Sequence, residues 1–259
     1  MTNILEITNL SIADRFGNKL IQHVDLGLKK SKVNVLIGES GSGKSLTARA
    51  MVQQIPNTLD MQYDCMTYEH SEMSDMHNLL GKEIGFISQN YTHSFNDHTK
   101  LGKQLISIYR QHYNTDKKGA QKIVEQALSW VELNPSQMMS KYRFSLSGGQ
   151  LDRVQIASVL MLNPKVIIAD EPIASLDAVT GVSIMNLIKH LAEVHKVTLL
   201  LITHNLSHVL DFSDWIHVIK NGEMVESNHI DAFKNNDVKP YSLKLFNSRS
   251  RLKKGDYHA

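Results

Sequence analysis

The residues with the clearest chemistry are Gly38-Glu39-Ser40-Gly41-Ser42-Gly43-Lys44-Ser45, which fit G-x-x-x-x-G-K-[ST] at every fixed position. Glycines at these spacings let backbone N–H groups turn inward around phosphate oxygens. A lysine at this point reaches β- and γ-phosphates, and the following serine hydroxyl helps to hold Mg²⁺. A second group, Asp170-Glu171, follows the apolar run Val166-Ile167-Ile168-Ala169. Acids delivered by a buried strand stand at its C-terminal end, where ligands gather in α/β sheets. Asp170 is placed to hold Mg²⁺, directly or through water, and Glu171 to accept a proton from an attacking water. A third group, Leu146-Ser147-Gly148-Gly149-Gln150, sets a hydroxyl and two glycine amides at the start of a helix. That is a second phosphate-binding device, although a helix N-cap followed by flexible glycine has the same composition. A chain with one phosphate loop has no evident need of two such devices.

The elements that must position these groups follow from periodicity. Val33–Ile37 reads as a buried strand, and Leu46–Val52 as a helix stopped near Pro56, so the glycine loop lies between strand and helix. Residues 4–12 and 20–28 alternate as half-buried strands around a turn at Asp14–Asn18. Residues 57–82 show no clear period and read as small strands and loops. Ile84–Ser88 is a short strand ending at Gln89, and Lys100–Gln137 turns helical. A helix opens at Ser147 and runs through Leu162, stopping before Pro164. Another, over 180–195, leads to the strand Val197–Ile202, which delivers Thr203-His204. Asn221-Gly222 between two apolar runs predicts a hairpin. The expected architecture is α/β, with a parallel core bearing the phosphate loop, an N-terminal antiparallel β layer and an inserted α-helical subdomain over about 90–145. It is read as a single domain over 1–259, with a peripheral tail over about 234–259.

Composition narrows the function. The formal charge of +2 over 259 residues is too small to argue for a nucleic-acid surface, so no nucleic-acid partner is expected. A single cysteine, Cys65, excludes an internal disulfide and a thiolate metal cluster. The 13 histidines are scattered, without the i, i+4 pair of a zinc site. The first residues lack a signal-peptide pattern, and no stretch approaches the roughly 20 apolar residues of a membrane span. The expectation is a cytosolic protein whose membrane role, if any, comes through a partner.

The pentapeptide Leu146–Gln150 is identified as the signature of the ATP-binding cassette (ABC) family, and the chain resembles a P-loop ABC ATPase along nearly its whole length. In that family the signature closes over the ATP held by a second cassette. The resemblance therefore implies that Ser147, Gly148, Gly149 and Gln150 contact a partner's nucleotide. It implies that Gln89 is the Q-loop glutamine, touching Mg²⁺ and the coupling surface. Ala174-Ser175-Leu176-Asp177 matches the D-loop, so Asp177 borders the nucleotide, and His204 matches the switch histidine at the γ-phosphate. Phe16 is the aromatic nearest to the expected adenine-stacking position. Gly38–Ala50, Gly81–Gln89, Ser94-Phe95-Asn96 and Lys239-Pro240-Tyr241-Ser242 resemble the D-type ATPases of the peptide/nickel importers.

The words from Ile87 to Leu105, with Ala127–Val131 and Leu146–Leu151, are similar to the nickel-importing branch of that group. The resemblance implies an ATP hydrolase using ATP and Mg²⁺, peripheral on the cytoplasmic face of the membrane. Its implied partners are a second ABC ATPase subunit of F- or E-type, two membrane permease subunits and, indirectly, an extracytoplasmic solute-binding protein. A di- or oligopeptide importer and a soluble, non-transport ABC ATPase are the alternatives. Asn90-Tyr91, Leu151-Asp152 and Ile173 depart from the usual family words, and none removes a catalytic group. The tail does not continue into the cysteine-bearing extension of some peptide-importer relatives, so no iron–sulfur cluster is expected.

Overall fold

The computed structural model of the protein describes residues 2–88, 95–172, 178–204, 206 and 209–253. Along them run β1 (Asn3–Asp14), β2 (Lys19–Lys29), β3 (Val33–Ile37), α1 (Lys44–Ala50), β4 (Leu59–Gln62), β5 (Cys65–Tyr68), β6 (Ser71–Glu72) and β7 (Ile84–Ile87). Then come α2 (Leu101–His112), α3 (Lys117–Trp130), α4 (Pro135–Ser140), α5 (Gly148–Leu160), β8 (Val166–Asp170), α6 (Ala178–His195) and β9 (Thr198–Ile202). The chain ends with α7 (Val209–Phe212), β10 (Trp215–Lys220), β11 (Glu223–His229), α8 (Ile230–Lys234) and α9 (Pro240–Lys253). These elements form two compact units, Met1–His77 with Thr198–Ala259, and Asn78–Val197.

In the first unit the alternating residues of β1 and β2 pair antiparallel, Leu5 opposite Leu28, Leu10 opposite Val24 and Ile12 opposite Ile21, and these side chains are buried. Asp14 closes the turn between them. Its carboxylate accepts from the Phe16 and Asn18 N–H groups at 2.8 and 2.9 Å and from the Asn18 side-chain amide at 2.8 Å. These bonds, the Asn18 side chain first, hold the Asp14 carboxyl below the usual carboxylate range. β4 and β5 pair along β1, and β6 along β5. These strands of two to four residues are too short to show a period of two, which is why 57–82 reads as irregular in sequence.

The second layer of this unit is parallel: β3 pairs with β10 on one side and β9 on the other, with β11 antiparallel at the edge. All five residues of β3 and of β9 are buried, as covering both faces of a parallel strand requires. The polar exception in β3 is satisfied: the Asn34 amide donates to the carbonyls of Lys29, Lys32 and Leu199 and accepts from the Lys29 N–H. Asn221 and Gly222 turn from β10 to β11 with φ of 49° and 80°, the type I′ geometry that Asn-Gly predicts. The tail, expected to be peripheral beyond Lys234, is helical from Pro240. Ser242 is fully buried, and Phe246 packs on Phe233 with ring centroids 5.4 Å apart.

In the second unit β7 and β8 pair in parallel, Ile84 opposite Val166 and Ile87 opposite Ala169. α5 lies against β7 so closely that a Cβ on Gly85 would stand 2.2 Å from the Val159 side chain. The helices expected between Lys100 and Gln137 are α2, α3 and the start of α4, with Leu101, Leu105, Val124, Ala127 and Leu128 buried. Asp116 caps α3 through the Gly119 N–H, and Asn134 caps α4, whose first position is Pro135.

One buried group of the first unit contributes to its acid stability. His217, on β10, is 1% exposed, and its Nδ1 is 2.8 Å from the Ser227 hydroxyl, which also accepts from the Trp215 indole N–H. Its Nε2 has no hydrogen-bond partner among the described residues. Burial, helped by the Lys29 ammonium, pushes the ring's pKa from 6.5 down to about 3. The unfolded chain takes up this proton below 6.5 and the folded one only near 3. Stability carried by the neutral ring is therefore complete above pH 6.5 and lost progressively as pH falls toward 3, by at most about 1.4 kcal/mol per pH unit. Thermal melts at about pH 7.5 and pH 5 should show a fall in Tm that is smaller in His217→Gln than in the wild type.

Candidate functional site

β3 delivers Gly38, and the loop that follows is curled around its own lysine. Lys44 is 5% exposed, and its ammonium donates to the carbonyls of Gly38 at 3.0 Å and Glu39 at 2.8 Å. A buried cation needs such partners, and a phosphate oxygen would replace them with charge-assisted bonds. Gly43 caps α1 at φ 102°, and a Cβ there would stand 2.4 Å from Ile21 Cδ1. A Cβ on Gly38 would lie 2.2 Å from the Ile219 carbonyl oxygen. The loop is buttressed from outside by the β10–β11 turn: the Gly222 N–H donates to the Ser42 carbonyl at 3.0 Å, and Gln22 N–H to the Gly222 carbonyl at 2.8 Å. The Ser42 hydroxyl is buried and has no hydrogen-bond partner among the described residues. A cation with exchangeable partners, an unpaired hydroxyl and a backbone too crowded for side chains fit a phosphate ligand at Gly38–Ser45.

His204 belongs to the same unit. Leu36 of β3 pairs with Ile202 of β9, so Gly38 and His204 each lie two residues past the paired positions, at the same end of neighbouring strands. The Thr203 N–H to Leu36 carbonyl bond, 3.3 Å, holds that end together. Phe16 stands at the tip of the β1–β2 hairpin, 75% exposed, with the Arg15 guanidinium 4.8 Å from its ring centroid.

The second unit carries the other groups. Asp170 ends β8 and is 1% exposed. Glu171 follows with φ 47°, a left-handed backbone that disfavours a residue with a long side chain and stores strain where the proton acceptor is expected. Ser147 and Gln150 form a reciprocal capping box at the start of α5: the Ser147 hydroxyl accepts from Gln150 N–H, and the Gln150 side chain from Ser147 N–H, each at 3.3 Å. Ser147 and Gly148 are exposed. Gln89 and Asp177 lie outside the described residues, as do Asn90-Tyr91, Ser94 and Ile173–Leu176. The structure thus brings Gly38–Ser45 and His204 together in one unit, and places Asp170, Glu171 and Ser147–Gln150 in the other. The Ser45 hydroxyl in the first unit and the Asp170 carboxylate in the second are each oxygen donors of the type that suits a hard cation such as Mg²⁺.

Residues 21–174 match the model of the ABC transporter family. The nickel import system ATP-binding protein NikD of Staphylococcus aureus (strain USA300) is 48% identical over 256 residues, 99% of this chain and 99% of that protein. Among solved structures, cbiO1 from Clostridium perfringens, part of the ABC transporter complex cbiONQ, superposes with a TM-score of 0.79 at 22% identity, covering 92% of each chain. A bacterial ABC transporter cassette in its dimeric structure gives 0.75 at 24% identity, covering 87% of this chain and 98% of that one. A dimeric, post-hydrolysis state of the same cassette, bound to ADP and Pi, matches with the same score. The last three establish the fold.

Motif reading did not single out Asp152, in the second turn of α5. It is 2% exposed, and neither carboxylate oxygen has a hydrogen-bond partner among the described residues. Its neighbour Arg153 is satisfied by the Val131 carbonyl, Glu132 and Ser183. Burial pushes the Asp152 carboxyl from 3.8 up to about 7. The unfolded chain loses this proton above 3.8 and the folded chain only near 7, so stability is complete below 3.8 and is lost as pH rises between the two. Asp152→Asn should therefore raise Tm at about pH 8, by the equivalent of about 1–3 kcal/mol, and give little gain near pH 4. Melts of both proteins across that range check it, and a variant that is less stable at pH 8 would contradict an ionised, unpaired carboxylate.

Proposed function

The chain belongs to the ABC transporter family, and we propose that it is the ATP-hydrolysing subunit of a nickel importer. The observation that carries the substrate is the 48% identity to a nickel import ATP-binding protein along 99% of both chains. In this reading Gly38–Ser45 hold the β- and γ-phosphates, and Lys44 exchanges its two carbonyl partners for phosphate oxygens. Phe16 stacks on the adenine. Ser45, Gln89 and Asp170 would hold Mg²⁺, which would supply charge neutralisation to the phosphates. Glu171 accepts the proton of the attacking water, and His204 contacts the γ-phosphate and orients that water.

Ser147, Gly148, Gly149 and Gln150 of one cassette close over the nucleotide of a second, with Asp177 beside it; the exposure of Ser147 and Gly148 supports their use by another subunit. The second cassette is of F- or E-type, and a solute-binding protein outside the membrane recognises nickel. No helix among the described residues is long and apolar enough to cross a membrane, and transport proceeds through two permease subunits, with this chain peripheral on the cytoplasmic face. ATP drives the cycle by binding the closed pair better than the open one. The words shared with peptide importers, Gly38–Ala50 and Lys239–Ser242, favour a di- or oligopeptide as the second substrate reading.

Glu171→Gln should bind ATP, lower turnover by about 10²–10⁴-fold and accumulate an ATP-bound closed pair on gel filtration with its partner cassette. Hydrolysis at the wild-type rate would remove Glu171 from the role of base. Lys44→Ala should weaken MgATP binding in a direct titration. Cells lacking this chain should lose radiolabelled nickel uptake while retaining peptide uptake, and the opposite pattern would select the peptide reading.

A further inference from the structure

The tail reaches the phosphate loop through Tyr241. The start of α9 is pinned on β11: the Lys239 N–H donates to the Glu226 carboxylate at 3.1 and 3.2 Å, and the Lys239 ammonium to the Val225 carbonyl. Ser242 beside it is fully buried. From this fixed base the Tyr241 ring lies under the Lys220 ammonium, 4.6 Å from the ring centroid. Lys220 follows Ile219, whose carbonyl crowds Gly38, and precedes the turn whose Gly222 N–H holds the Ser42 carbonyl. The Tyr241 hydroxyl is buried and faces both the carboxylate and the backbone N–H of Glu39, without a well-formed hydrogen bond to either. Burial, and then the Glu39 carboxylate, raise the phenol above its ordinary pKa, so it keeps its proton and remains a donor. The carbonyl of that same Glu39 accepts from the Lys44 ammonium at 2.8 Å.

We propose that Tyr241 is a positioning residue for the phosphate loop, fixing Glu39 and, through the Glu39 carbonyl, the reach of the Lys44 ammonium. The inference rests on the reading of Gly38–Ser45 as the ATP site. A buried hydroxyl without a well-formed bond adds nothing to the stability of the empty loop. When Lys44 turns toward a phosphate, Glu39 loses the cation on its carbonyl. A hydrogen bond from Tyr241 to its carboxylate then keeps the loop in place. The contribution of Tyr241 therefore belongs to the nucleotide-bound loop.

The test is a MgATP titration of the full chain, with melts in the absence of nucleotide, for the wild type, Lys44→Ala, Tyr241→Phe, Glu39→Ala and the double variant. Phenylalanine keeps the ring under Lys220 and removes only the hydroxyl. Tyr241→Phe should weaken MgATP binding about five-fold, with a nucleotide-free Tm equal to or above the wild type's. In the Glu39→Ala background the same substitution should change affinity no further. Tyr241→Phe binding as tightly as the wild type, losing the same factor in the Glu39→Ala background, or melting lower without nucleotide would each overturn the proposal. Failure of the ATP-site reading looks different: the wild type would not bind MgATP, or Lys44→Ala would bind it equally well, and both inferences would fall.

Discussion

An ammonium buried at 5% exposure needs acceptors, and the first unit is built around supplying them to Lys44. The carbonyls of Gly38 and Glu39 do so, but only because the backbone curls back over the lysine. That curl needs the left-handed Gly43 against Ile21 and the close pass of Gly38 against the Ile219 carbonyl. It also needs an outer brace, supplied by Gly222 to Ser42 and carried on to β2 by Gln22. The strands β3, β10 and β2 thus meet at one loop whose purpose is to keep a cation dehydrated and within reach. Exchanging two neutral carbonyls for anionic oxygens strengthens the bonds roughly two-fold with little reorganisation, which is what preorganised electrostatic stabilisation requires.

Polar burial in the protein falls into two kinds. Asn34 meets satisfied donors and acceptors and shapes backbone, locking β3 to Lys29, Lys32 and Leu199. Ser42, Asp152 and Tyr241 have buried oxygens without a well-formed partner among the described residues, and Glu171 has a strained backbone. Each costs about 1–3 kcal/mol. These positions lie in the phosphate loop, on it, in the signature helix and after the acidic strand. In the function proposed above, the partners of these groups arrive with nucleotide or with another subunit. Ser242 and His217 stand outside this pattern: the Ser242 hydroxyl is buried near the start of α9, and the orphaned His217 nitrogen lies in the β10–β11 ladder, where its effect is on acid stability.

The chain alone reveals whatever is encoded locally. The octapeptide, the Asn221-Gly222 turn, the mostly apolar strands β3, β8 and β9, the helical stretch that holds α2 and α3, and the spans of α5 and α6 are local patterns, and the observed elements match them within a few residues. The antiparallel pairing of β5 with β1 could not be read, because a four-residue strand has no period and its partner is chosen by packing. Nor could the meeting of Tyr241 with Glu39 or the burial of Asp152, which sequence shows only as part of a departure from the usual family words. Long-range contacts of this kind leave no spacing signature. The left-handed Glu171 is equally silent, since a glutamate after a strand ordinarily continues in the extended region.

The signature residues show how two local readings can share the same atoms. Ser-x-x-Gln is a capping box, and the structure makes both of its bonds, each at 3.3 Å and so at the long end of the useful range. In that role the Ser147 hydroxyl uses a lone pair to accept from the Gln150 N–H. Its own hydrogen is not consumed, because a hydroxyl has one donor and two acceptor sites. An exposed Ser147 can therefore cap α5 and donate to a phosphate oxygen together, while the amides at the helix N-terminus supply the positive end of its dipole. The cap fixes, before any phosphate is present, the orientation that a phosphate contact would need, so the N-cap and the proposed phosphate device are compatible in the same atoms.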